Sequence, residues 1–283
     1  MRLLLVHGRS QGGKDPVKLK AEWLGALDKG FEKAGLTLPA DVVIDFPFYG
    51  DRLDEFVRQF ELPADPAIIP KGSPAFDEFA AFRAEVAAEM QVRAGITDVQ
   101  VQAEMRPAPA EKGIQNWEWV QAIVRLLDRN FTGLSQTTIE VFLRDVFLYT
   151  RRSVVRDTID KIVSDTLKND TTVVVGHSLG SVVAYNVLES VSRKIPLYVT
   201  VGCPLAIRAV RKALGPISNP ARGWCNAYDP QDIVALYPLD KANFDVAPTI
   251  KNFGTVHNWT DNRHGIVGYL DDTNVAKAIQ SGL

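Results

Sequence analysis

The sequence predicts an α/β protein, a mostly parallel central sheet flanked by helices and carrying a helical cap insertion. Two observations predict it. Apolar, β-prone runs such as "RLLLV", "TTVVVG" and "PLYVTVG" alternate with segments whose apolar residues recur at helical spacing. That alternation is interrupted over 51–150 by proline-rich connectors and helical pieces, then resumes. The expected organisation is a core of 1–50 and 151–283, with 51–150 as a mostly helical cap or lid.

From the start of the chain, the first strand runs into "HGRSQGGKDP", where three glycines and a proline mark a loop. Asp15 and Pro16 signal a helix start, Leu19, Trp23, Leu27 and Phe31 repeat every four residues, and Gly35 closes the pattern. A second strand is expected in "DVVIDFPFYG", residues 41–50. In the insertion, Ser73 and Pro74 open a helix whose Phe79, Phe82, Val86 and Met90 share a face, and "NWEWVQAIVRLLDRNF" and "IEVFLRDVFLY" follow as helices. Their rings are read as the insertion's own core.

Beyond 151, a helix with Val155, Ile159, Ile162 and Thr166 on one side leads into "TTVVVG", and Val183, Val187 and Val191 mark the helix after it. "PLYVTVGCPLA" and "GWCNAYD" are further strands, and "DDTNVAKAIQ" is a final helix.

The chain has 283 residues, 46% hydrophobic and 23% charged, with a net charge of -2. This balance suits a globular protein with a sizeable core and lacks the basic excess of a nucleic-acid binder. The opening apolar run is too short for a signal peptide or a membrane span, so a cytoplasmic protein without an integral membrane segment is expected. Two cysteines, Cys203 and Cys225, fit reduced thiols rather than a disulfide framework. Neither they nor the histidines show metal-ligand spacing, so no metal and no cofactor is expected.

Chemistry concentrates at "VVVGHSLGSVV", where Gly176, Ser178 and Gly180 form G-x-S-x-G between a strand and a helix. A serine on such a turn projects beyond the carboxyl ends of the strands, where open α/β sheets bind ligands. The N–H of Leu179 would then face an oxyanion, and the Arg9 N–H, in the loop after the first strand, is the expected second donor, with Gly8 allowing close approach. His7 is read as structural in its loop and His177 as packing inside the turn.

These segments, "LLLVHGRS", "VVVGHSLGS" and "VTVGCPLA", resemble the α/β-hydrolase superfamily, in particular its lipase and esterase branch. The resemblance implies Ser178 as nucleophile, followed in chain order by an acid and a histidine. His264 in "RHGIVGYL" lies where the family's histidine usually does, and His257 in "TVHNWT" is held in reserve. For the acid, Asp232 is preferred because "DIVALYP" is similar to the Asp-Ile-Val segment of lipases, although Ala235 stands where those often have proline. Asp229 is the alternative.

The implied function is hydrolysis of a small-molecule carboxylic ester through a Ser-His-Asp triad and an acyl-enzyme. The insertion would be a lid over an apolar acyl pocket. A thioesterase or an amidase would use the same groups, and a non-catalytic binding protein on the same fold is the alternative from another class.

Overall fold

The computed structural model describes residues 1–60, 74–105, 114–130, 136–192, 194–261 and 263–283, without the side chains of 74–77, 114–117 and 136. Ser73 and the proline-rich connectors at 61–73 and 106–113 lie outside the described residues.

Strand β1 (Arg2–Val6) leads through the glycine loop into helix α1 (Pro16–Lys33). The Asp15 carboxylate accepts the N–H groups of Val17 and Lys18, and Gly35, at φ +67°, takes the left-handed conformation that ends the helix. Strand β2 (Val43–Asp45) is shorter than the expected 41–50. Pro47 has no N–H to continue the ladder, and Gly50 already begins α2 (Gly50–Gln59).

Four helices follow: α3 (Pro74–Arg93), α4 (Asp98–Glu104), α5 (Ile114–Asn130) and α6 (Gln136–Arg151). The short α4, absent from the sequence reading, is held at its start by a capping box between Thr97 and Gln100. Helix α7 (Ser153–Thr166) buries Val155, Ile159 and Val163, with Ile162 only partly covered. The chain then forms β3 (Thr171–His177), α8 (Leu179–Ser190), β4 (Ile195–Val201), α9 (Arg208–Lys212) and β5 (Ala221–Ala227). It ends with β6 (Lys251–Phe253), α10 (Ile266–Leu270) and α11 (Thr273–Gln280).

Among the described residues, six strands lie in the order β2-β1-β3-β4-β5-β6, and every neighbouring pair is parallel. Alternate residues divide the core between the two faces. Leu3, Leu5, Val173 and Val175 join Trp23, Leu27, Tyr269 and Ile279 of α1, α10 and α11, whereas Leu4, Val6 and Val174 join Val182, Val183 and the helices on the opposite side. That second cluster runs on without a break into Phe79, Phe82 and Phe147, so α3 and α6 share a core with the sheet. The rings also meet each other, Phe79 and Phe82 lying 5.0 and 5.6 Å from Phe147 between centroids. No helix among the described residues is long and apolar enough to cross a membrane.

The chain winds one way from β1 to β2 and the other way from β3 onward. The loops after β1 and β3 therefore diverge and leave a crevice at the carboxyl ends of these two strands. Gly180 sets how closely α8 approaches it, because a Cβ there would run into the carbonyl oxygens of Val6 and His7. Gly180→Ala is expected to destabilise the protein by about 1–3 kcal/mol through overpacking against rigid backbone. Chemical denaturation checks this, and an unchanged midpoint would contradict it.

Candidate active site

Ser178 occupies the turn between β3 and α8 with φ 53° and ψ -128°, a conformation that a non-glycine residue holds at a cost of about 1–3 kcal/mol. The surrounding backbone over-determines it. The Ser178 N–H donates to Val201 O at 3.1 Å, and the Ser178 carbonyl accepts from Ser181 N–H at 3.0 Å and from the Ser181 hydroxyl. Gly176 is required because a Cβ would stand 2.6 Å from Ser181 Cα. Gly8 brings the loop after β1 equally close, since a Cβ on it would lie 2.9 Å from Ser178 Cβ. The Leu179 N–H sits at the first position of α8, where helix N–H groups have no intrahelical acceptor. The Arg9 N–H follows Gly8.

The loop between β6 and α10 delivers His264. Its Nε2 lies 2.8 Å from Ser178 Oγ and its Nδ1 lies 2.7 Å from Asp232 Oδ2. A carboxylate only accepts, so Nδ1 carries the proton and Nε2 presents its lone pair to the serine hydroxyl. Tyr269 on α10, which the sequence reading did not single out, donates its hydroxyl to the same Asp232 oxygen at 2.6 Å. Burial beside Asp232 raises the Tyr269 pKa well above its ordinary value, so the phenol stays protonated as a donor. Its position five residues after His264, in the short helix α10, is the one signal that could have marked it.

Asp229 has a different environment. Its carboxylate accepts the N–H of Gln231 and of Asn258, each at 2.8 Å, while its own N–H donates to the Tyr269 hydroxyl at 3.2 Å. It ties its own loop to the loop after β6 and to helix α10 and is not hydrogen-bonded to His264. Exposed His257 lies apart from this chain.

The other two histidines are buried. His7 donates from Nδ1 to Gly8 O and accepts the Tyr49 N–H at Nε2, and burial lowers its pKa to about 4. His177 donates from Nε2 to His264 O at 2.8 Å, and burial, reinforced by neighbouring His264, lowers its pKa well below the ordinary value. It fixes the backbone of the loop that carries His264.

A cleft of about 360 Å³ opens onto Ser178 and His264, walled by Arg9, Gln11, Trp23 and Ile266 among others. Behind it, a slot of about 10 Å³ is lined by Met90, Ile139, Phe142, Ile233 and Val234. Arg9 and His264 border both spaces. The side chain of Arg9, unremarked in the sequence reading, donates from Nη2 to Thr138 O at 3.0 Å and from Nη1 to Ser10 Oγ at 2.9 Å, and it faces the Phe142 ring. Burial lowers its pKa from the usual arginine value, opposed by the charge of Asp145.

No protein-family model, curated protein or solved structure matches this chain. Among the described residues, no group of three or more His, Cys, Asp or Glu side chains could hold a metal ion. Cys203 and Cys225 are free, and the Cys203 thiol, pushed up to about 12 by burial, lies 3.1 Å from Ser181 Oγ.

Removing the Asp229 carboxylate leaves the Gln231 and Asn258 N–H groups without their acceptor. Asp229→Ala is therefore expected to cost about 1.5–3 kcal/mol of stability. Denaturant titration at constant m-value measures it. A loss below about 0.5 kcal/mol, the range of an ordinary surface substitution, would show that these loops hold without it.

Proposed function

We propose that this protein is a serine hydrolase of carboxylic esters, of the α/β-hydrolase kind, with Ser178 as nucleophile, His264 as general base and Asp232 as its acid. The observation that carries the reading is the hydrogen-bonded chain from Asp232 through His264 to Ser178, set on a strained turn at the sheet's switch point. The sheet order alone is common to many doubly wound proteins with unrelated chemistries, so the reading rests on the site.

In the proposed mechanism, His264 Nε2 takes the Ser178 hydroxyl proton as Oγ attacks the acyl carbon, and Asp232 stabilises the imidazolium that forms. The N–H groups of Leu179 and Arg9 hold the negative charge of the tetrahedral intermediate, and the α8 N-terminus adds a favourable partial charge. The imidazolium then protonates the leaving alcohol. Water attacks the acyl-enzyme by the same steps in reverse, with His264 again accepting the proton. The Tyr269 hydroxyl holds the Asp232 carboxylate in the plane where His264 needs it. Helices α3 and α6, which supply Met90, Ile139 and Phe142 to the slot, serve as the cap over the acyl side of the site.

A fluorophosphonate probe is expected to label the wild type at Ser178 and to leave Ser178→Ala unlabelled. Absence of labelling in the wild type, or equal labelling of the variant, would sink the reading. Asp232→Asn is expected to lower kcat on a nitrophenyl ester by about 10⁴-fold, because an amide at that position can donate to Nδ1 and favours the wrong tautomer. A larger kcat loss for Asp229→Asn than for Asp232→Asn would move the acid to Asp229.

A further inference from the structure

Among the described residues, Arg9 is a cation without an anion. A guanidinium carries five N–H donors, and the hydrogen bonds of this one go to a hydroxyl and a backbone carbonyl, neither bearing a full charge. Its Nε is shielded from solvent and has no hydrogen-bond partner. Among the described residues no carboxylate comes within ion-pair distance of it. The nearest by charge is buried Asp145, which is engaged by Arg144 at 2.9 Å. The Phe142 ring, 5.9 Å from the guanidinium carbon, offers only a weak attraction. A largely desolvated, unpaired charge is unfavourable unless something supplies the missing partner.

The position of this charge is specific. Arg9 borders the cleft that opens onto Ser178 and also the slot behind it. At the cleft's exposed rim, Lys14 and Glu22 offset one another, and Lys14 is drawn to Gln11 Oε1 at 3.0 Å. Arg9 is the remaining arginine, lysine or carboxylate side chain among the residues that line the cleft. The loop that carries it is locked, with the Arg9 carbonyl accepting from Gln11 Nε2 at 2.7 Å, so the guanidinium is held in place before any ligand arrives.

We propose that the substrate is an ester bearing a carboxylate, and that the Arg9 guanidinium binds this carboxylate while Ser178 attacks the ester carbonyl. The proposal rests on the serine-hydrolase reading and names its substrate class. A carboxylate entering beside Arg9 replaces water with charge-assisted hydrogen bonds to the unused donors, and the fork-shaped guanidinium suits its geometry.

Two matched pairs of esters test this in the intact protein. 4-Nitrophenyl glutarate against 4-nitrophenyl pentanoate places the charge on the acyl side, and 4-acetoxybenzoate against 4-acetoxybenzamide places it on the alcohol side. In at least one pair the wild type is expected to favour the anionic ester by about tenfold or more in kcat/KM, the discrimination of one charge-assisted contact. In Arg9→Gln, which keeps the backbone N–H, that ratio is expected to collapse towards one, and in Arg9→Lys to be partly retained, whatever the change in absolute rate. Should Arg9→Gln not fold, protection of wild-type Ser178 from the fluorophosphonate probe by glutarate, and not by pentanamide, gives the same answer. Labelling of Ser178 without an anionic preference in either pair, or a preference that survives in Arg9→Gln, would overturn the proposal and leave the hydrolase reading standing. Absence of labelling would remove both.

Discussion

The approach of helix α8 to strand β1 governs the rest of the site. Gly180 lets the first turn of the helix rest on the carbonyl oxygens of Val6 and His7, and Gly176 lets that turn fold back on β3. Together they hold Ser178 at a positive φ that its own side chain disfavours. The strain is tolerated because hydrogen bonds from both sides, to Val201 O and from Ser181, leave the backbone no alternative. The same contact places the loop after β1, with Gly8 and Arg9, beside the serine. A turn that moved away by an ångström would lose the hydroxyl's reach to His264 and its neighbourhood with Arg9 together.

Around that contact the polar groups divide into those that brace the loops and those that face one another at the serine. His7, His177 and Asp229 spend their hydrogen-bonding capacity on backbone groups of neighbouring loops, and the two histidines are neutral by burial. Asp232 receives two side-chain donors, His264 and Tyr269, on a single oxygen. Two aspartates three residues apart thus have separate tasks, one bracing loops and one facing the imidazole. The bracing is what makes the facing accurate, because Asp229 and His177 anchor the loops from which Asp232 and His264 project.

Much of this was legible along the chain. The alternation of strands and helices follows from hydrophobic period. The start of α1 follows from Asp15 and Pro16, and the G-x-S-x-G turn follows from two glycines between a valine run and a helical run. Where the reading and the structure differ, local physics explains it. Pro47 shortens β2, and α4 rests on a cap rather than on a long apolar stripe. Strand β6 has only three residues at the sheet edge, too few for a period to show. In α7, Val163 rather than Ile162 faces inward, because the burying stripe follows i, i+4, i+8.

The sequence by itself determined the α/β class and the turn that holds Ser178, because each is written in spacing over a few adjacent residues, whereas the candidate histidine and aspartates came from the family resemblance. Which aspartate reaches His264, the placement of Tyr269 behind it, and the charge of Arg9, left without a carboxylate partner among the described residues, were decided only by tertiary structure. These depend on where irregular loops between 228 and 265 run and on how α6 meets the loop after β1. Such paths are fixed by packing between segments distant in the chain, which no local period records.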